Sequence, residues 1–175
     1  LVIQTIREFV ERDVTPVASA MEHRGEYPHG LVETMKELGL FGLNIPEEYG
    51  GSGLSLTEAT VIMEEVTRSG GNAGCCHGQM YNMNTLLRNG SAEQKKKYLP
   101  KIATGELRLQ AFGVTDPNAG SDTTKLQTTA LRKGDKYVVN GQKMFISRVL
   151  QSDLMLLLAR TTSVDQVKKK TDGLS

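Results

Sequence analysis

The sequence predicts an α+β protein, with an all-α helical bundle over residues 1–107 and a mostly antiparallel β domain over 108–175 that ends incomplete. Three observations predict it. Apolar residues recur at helical spacing as far as Leu107, the pattern then turns to period two, and clusters of Gly and Pro separate the periodic stretches. A chain of 175 residues with 38% hydrophobic side chains is long enough to bury a sizeable core.

The elements follow in order. In "LVIQTIREFVERDVTPVASAMEH" the positions Val2, Ile3, Ile6, Phe9, Val10 and Val17 form one helical stripe, which Pro16 bends or interrupts. "GLVETMKELGLF" groups Leu31, Met35 and Leu38 on a second helix that closes near Gly39 or Gly42. "GLNIPEEYGGSGLS" is a loop, and Ser55 with Glu58 forms a capping box that starts the helix through Ile62, Met63 and Val66. The next helix, "NAGCCHGQMYNMNTLLRNG", has no charge from Asn72 to Leu87 and is expected to be buried on most faces. Ser91 and Gln94 repeat the capping box for a short helix limited by Pro100 and Gly105. Beyond it, "TTKLQTTALRKGDKYVVNGQKMFIS" alternates as strands do, with turns at "KGDK" and, most strongly, at Asn140–Gly141. "SDLMLLLART" reads as a buried strand, "SVDQVKKKTDG" as a polar loop, and "DGLS" as the start of another strand.

Composition narrows the function. With 21 basic and 20 acidic residues the chain has no footprint for nucleic acid. Its longest apolar run, Leu154–Ala159, is too short to span a bilayer, and its opening residues do not form a signal-peptide core. The adjacent cysteines, Cys75 and Cys76, do not readily pair with each other, which implies reduced thiols in an intracellular compartment. No spaced Cys/His set suggests a metal.

Two stretches carry the chemistry. In "AFGVTDPNAGSD", backbone amides beside Gly and Pro join hydroxyls in an array suited to phosphate or carbonyl oxygens, although turn composition alone also accounts for such a loop. In "NGQKMFIS", Phe145 stands beside Ile146 and Ser147, so an aromatic plane and a hydroxyl are offered together. The plain alternative is a strand with Phe145 in the core. His77 reads as a hydrogen-bonded core histidine, with a place at the end of a pocket as the alternative, and Met80 and Met83 as core or pocket lining.

Taken with "NIPEEYGGSGLS" and "GSAEQKKKYLPKIATGEL", these motifs resemble, in order and spacing, the acyl-CoA dehydrogenase family of FAD-dependent enzymes. The resemblance implies a helical domain, a central β-barrel-like domain and a C-terminal four-helix domain that lies outside this sequence. It places Phe112, Val114, Thr115, Gly120 and Ser121 at the flavin, with the Val114 backbone and Thr115 hydroxyl toward the pyrimidine side and Gly120 and Ser121 toward the pyrophosphate. Phe145, Ile146 and Ser147 would pack on the ring and bond near N5. Ser121 and Met80 would contact acyl-CoA. Phe145 and Ser147 stand where the family commonly has tryptophan and threonine, and Asp116 where it more usually has glutamate. Asp116 is given no chemical role, and Glu58, Glu64, Glu65 and Asp122 read as caps or solvated faces.

The implied reaction is α,β-dehydrogenation of an acyl-CoA thioester to the trans-2-enoyl-CoA. A carboxylate base in the C-terminal domain starts it, and the electrons pass to an electron-transfer flavoprotein. An acyl-CoA oxidase, a flavin monooxygenase and a non-catalytic assembly module are the alternatives on this scaffold. The resemblance further implies a homodimer or homotetramer in bacterial cytoplasm or the mitochondrial matrix.

Overall fold

A computed structural model describes residues 2–175, which divide into two compact units, the first running to Gln110 and the second spanning Ala111–Ser175.

The first unit is helical: α1 Val2–Phe9, α2 Ala18–Arg24, α3 His29–Glu37, α4 Leu56–Arg68, α5 Gly74–Asn89 and α6 Ala92–Ala103. Its core gathers Ile6, Phe9, Val10 and Val14 with Val32, Met35, Ile62, Val66 and Cys76. The first stripe departs from expectation at both ends. A π-helical turn over Val10–Val14 inserts an extra residue into the winding, which buries Val14 completely and leaves Val17 exposed. Val2 and Ile3 are also exposed. The turn ends where the Thr15 N–H donates to the Val10 carbonyl at 2.9 Å, just before Pro16.

Helix α3 closes at Gly39, whose φ of 73° is the left-handed C-terminal conformation. Gly42 is instead a site of close approach, where an added Cβ would lie 3.1 Å from the Ala103 carbonyl oxygen. Both capping boxes form. Ser55 Oγ accepts the Glu58 N–H while Glu58 Oε2 accepts the Ser55 N–H, and Ser91 and Gln94 do the same for α6. Contrary to expectation α6 runs through Pro100. Pro100 and Lys96 are both exposed, so water can satisfy the carbonyl that the proline leaves without a donor. Helix α1 is tied to α4 by Glu65, which accepts from Arg7 at 2.7 Å and Arg68 at 2.8 Å. Hydrogen bonds from Arg7 and then Arg68 hold the Glu65 carboxyl down to about 2.

Helix α5 is buried along much of its length, as a helix uncharged up to Arg88 requires. Its amides are used rather than merely enclosed. Gln79 Nε2 donates to the Ile102 carbonyl at 2.9 Å, and Asn82 Nδ2 donates to the Leu109 carbonyl at 3.2 Å.

The second unit is β-rich, with strands β1 Ala111–Gly113, β2 Thr129–Lys133, β3 Lys136–Asn140 and β4 Met155–Leu157. β1 pairs in parallel with β4, with Phe112 opposite Leu156, and β2 pairs antiparallel with β3. The described residues form two two-stranded sheets without closing a barrel. The hairpin turn falls at Gly134–Asp135 in "KGDK", because Lys133 pairs with Lys136. Asn140–Gly141, the stronger turn signal, makes no hairpin. Asn140 is spent in the ladder opposite Thr129, and Gly141 abuts Thr128, whose Oγ1 would be 2.5 Å from an added Cβ.

β4 is shorter and less buried than expected, with Met155 exposed. Arg160 is buried and anchors the end of the chain. Its guanidinium donates to the Leu126, Thr124 and Lys170 carbonyls, and Arg160 bridges both Thr129 and Leu174. Among the described residues no helix is long and apolar enough to cross a membrane.

Candidate functional site

β1 delivers the first motif. Its parallel partner β4 fixes the strand, and the Leu158 N–H donates to the Gly113 carbonyl at 3.0 Å just past the ladder. Phe112 alternates outward and is exposed, whereas Gly113 lies against β4. The chain then folds tightly. The Val114 N–H donates back to the Phe112 carbonyl at 3.1 Å, so that amide is engaged within the chain. Asp116 and Ala119 exchange two backbone hydrogen bonds around Pro117–Asn118, which throws Gly120 and Ser121 onto an exposed shoulder.

The second motif lies beside the first. The Met144 N–H donates to the Thr115 carbonyl at 2.8 Å, placing Phe145 one residue from a backbone contact with the first loop. Phe145 is not a core strand residue, contrary to the plain alternative. Its φ is 58°, in the left-handed region that bulky residues avoid, and it is 86% exposed. Arg148 has φ of 59°, so two strained positions bracket Ile146 and Ser147. Ile146 is half-buried and Ser147 exposed.

The Thr124, Thr128, Thr129, Ser152 and Thr161 hydroxyls are all hydrogen-bonded within the second unit. Those of Thr115, Ser121 and Ser147 have no such partner among the described residues, a state they share with Thr123, Thr162 and Thr171.

Beneath both motifs lies a buried ion pair that the sequence reading passed over. Lys143 Nζ is 2.7 Å from Asp116 Oδ1 and donates to the Val114 carbonyl at 2.8 Å, with the two side chains 9% and 2% exposed. Asp116 also accepts the Gln127 and Thr128 N–H groups and the Thr128 hydroxyl, at 2.7 to 2.8 Å. Burial alone would raise the Asp116 carboxyl. The donors from Lys143, Thr128 and Gln127 together outweigh it and hold the group down to about 2.

The helical unit carries its own concavity, a groove of about 500 Å³ between α4 and α5 lined by Met63, Met80, His77, Tyr81 and Arg88. His77 is therefore a surface groove residue, not the expected core histidine, and its ring meets Tyr81 edge-on at 5.3 Å. Met80 is 4% exposed at the groove wall, whereas Met83 is fully buried.

Comparison with known proteins decides the family. Residues 1–106 match the profile described as acyl-CoA dehydrogenase, N-terminal domain, and residues 111–175 match the middle domain. The chain belongs to the acyl-CoA dehydrogenase family.

Among relatives in that family, the mitochondrial isovaleryl-CoA dehydrogenase of Bos taurus is 37% identical over 163 residues, covering 90% of this chain and 38% of its own length. An acyl-CoA dehydrogenase of Geobacillus kaustophilus superposes with a TM-score of 0.86 at 34% identity, over 99% of this chain and 45% of that one. One from Bacillus anthracis, solved in complex with FAD, superposes with a TM-score of 0.78 at 32% identity, over 91% of this chain and 28% of that one. The chain thus spans less than half the length of these acyl-CoA dehydrogenases.

Within this acyl-CoA dehydrogenase domain pair the conspicuous acids are structurally committed. Glu58 caps α4, Glu65 pairs with two arginines, and Asp122 accepts from Thr124 and pairs with Lys125. Two depart from the sequence reading: Glu65 is buried between its arginines rather than on a solvated face, and Asp116, given no chemical role, is met by a buried lysine from a distant segment. The available signal was the acid of "TDP" together with the lysine of "NGQK".

Proposed function

We propose that the whole protein is an FAD-dependent acyl-CoA dehydrogenase and that this chain supplies its flavin-contact loops and part of its acyl groove. The observation that carries the proposal is the Met144 N–H to Thr115 carbonyl bond, which sets the two motifs side by side. The residues present fit the cofactor. Three hydroxyls without partners, an outward-facing aromatic ring and a glycine whose added Cβ would meet nothing within 4 Å all converge on these loops. Gly120 is demanded neither by its φ nor by its neighbours, which accords with a backbone kept bare for a pyrophosphate.

FAD, when bound, supplies the acceptor for the β-hydride of the thioester. The roles of this chain are binding and polarisation. Thr115 and the Val114 backbone serve the pyrimidine edge, with Val114 exchanging its three-residue turn bond for the ligand. Donors fixed beforehand at that edge would stabilise the negative charge of a reduced flavin without reorganisation. Phe112 flanks the loop. Phe145 covers the ring, Ile146 excludes water beside it, and the Ser147 hydroxyl donates near N5. Ser121 meets the pyrophosphate and the CoA moiety, and Met80 lines the acyl groove. The α-proton goes to a carboxylate base in the polypeptide beyond Ser175.

An electron-transfer flavoprotein is the proposed electron acceptor, a homodimer or homotetramer the proposed assembly, and bacterial cytoplasm or the mitochondrial matrix the proposed setting. Anaerobic titration of the whole protein with short and branched acyl-CoA thioesters tests the reading. Bleaching of the flavin absorbance with formation of enoyl-CoA, followed by slow reoxidation in air, supports a dehydrogenase. Rapid reoxidation by oxygen indicates an oxidase or monooxygenase instead, and failure to bleach with any thioester indicates an assembly module.

A further inference from the structure

We infer that Asp116 and Lys143 are positioning residues, a charge-neutral clasp that sets the geometry of both flavin-contact segments and the electrostatic environment of the flavin. The inference rests on the function proposed above. Each end of the clasp holds a different part of the site. Lys143 bonds the Val114 carbonyl at 2.8 Å and precedes Met144, which bonds Thr115. Asp116 follows Thr115 directly and bonds the backbone at Gln127 and Thr128. Removing either partner frees one segment from the other.

The pair is too extensively bonded for a surface ornament. Asp116 accepts four donors and Lys143 two acceptors, in a site nearly closed to water. Each charge needs the other to be tolerated there. With both present, their fields largely cancel at the neighbouring loops. With one removed, a single unscreened charge remains beside Val114 and Thr115, the segment assigned to the flavin pyrimidine.

A change of sign therefore distinguishes positioning from bulk stability. Whole protein carrying Asp116→Asn, Lys143→Met or Asp116→Glu is compared with wild type in the same buffer. Asp116→Asn is expected to raise the midpoint potential of bound FAD, because the remaining cation favours the reduced anion. Lys143→Met is expected to lower it. Both should weaken FAD binding tenfold or more, and Asp116→Glu, which keeps the charge, should return the potential to near the wild-type value. Shifts of the same sign in the two single variants, or none, overturn the clasp.

Hydrogen exchange on FAD-stripped protein tests the positioning independently of the cofactor. Exchange over residues 114–119 and 142–145 is expected to quicken in Asp116→Asn, with α4 and α5 unchanged. No quickening overturns the clasp, even for a protein that binds FAD well. A wild type that takes up no FAD overturns instead the function proposed above.

Discussion

The side-chain carbonyl of Gln79, in the middle of α5, accepts the Leu109 N–H at 3.1 Å, while its amide donates to the Ile102 carbonyl. One fully buried side chain thus stitches a helix to the end of α6 and to the segment that leaves it. Gln79→Leu keeps the volume, orphans the Leu109 N–H and leaves the Ile102 carbonyl with the Gly105 N–H alone. Each unmade bond in a dry interior costs about 1–3 kcal/mol. Urea unfolding is expected to show the helical unit weakened by about 3 kcal/mol, which is large against the whole stability of such a domain.

Thr115→Val and Ser147→Ala remove the partnerless hydroxyls. Neither change disturbs a side-chain hydrogen bond among the described residues, so stability without flavin should stay within about 0.5 kcal/mol of wild type. Each should weaken FAD retention or slow its reduction by about tenfold, the effect of one lost donor at a developing charge. Proteins that stay fully yellow and are reduced at the unaltered rate would remove those hydroxyls from the site.

Phe145→Gly is expected to act in opposite directions on fold and function. A left-handed backbone at a non-glycine residue costs about 1–2 kcal/mol, and glycine relieves it. The flavin-free protein should therefore melt a few degrees higher, while FAD dissociates faster for want of an aromatic cover. A variant that loses thermal stability without flavin would show that the left-handed conformation at Phe145 is not a source of strain.

Acid should loosen both units at similar pH through different groups. The Glu65 and Asp116 carboxyls are each held at about 2 in the folded chain, below the usual range of about 4 for an unfolded one. The unfolded state binds more protons in that window, so both contributions are fully present above pH of about 4 and fade as pH falls toward 2. Removing Arg7 and Arg68 together, as glutamines, should move the acid transition of the helical unit to higher pH. Lys143→Met should do so for the β unit. Circular dichroism for the helices and fluorescence of a reporter in the hairpin would follow the two separately.

Local chemistry was legible in the sequence and distant chemistry was not. Both capping boxes join residues three apart, so their partners are visible in a short window. The closing glycine at Gly39 and the uncharged stretch of α5 were legible for the same reason. Val14 was missed because a π-helical turn carries no signature in apolar spacing, yet it rotates everything after it. Asn140–Gly141 has the composition of a hairpin turn, and the ladder overruled it by pairing Asn140 with Thr129. Phe145 was readable as an aromatic beside a hydroxyl, but its left-handed backbone was not, since no glycine or asparagine marks the position. Asp116 looked like turn chemistry because Lys143, which gives it a second role, lies on another segment. His77 showed the reverse error, an uncharged helix suggesting a core position that one remaining open face contradicts.

The parallel pairing of β1 with β4 sets an order of events. A strand of three residues has almost no stability alone, and the partner of β1 is made only after the hairpin and the Phe145 segment have been synthesised. Closing so long a loop is slow compared with winding the helices or zipping β2 onto β3. On an emerging chain the helical unit and the hairpin would form first, and the "VTDPNAGSD" loop would take its final course only once Met155–Leu157 had docked. A ribosome paused just before β4 would hold a chain with folded helices and an unformed cofactor loop.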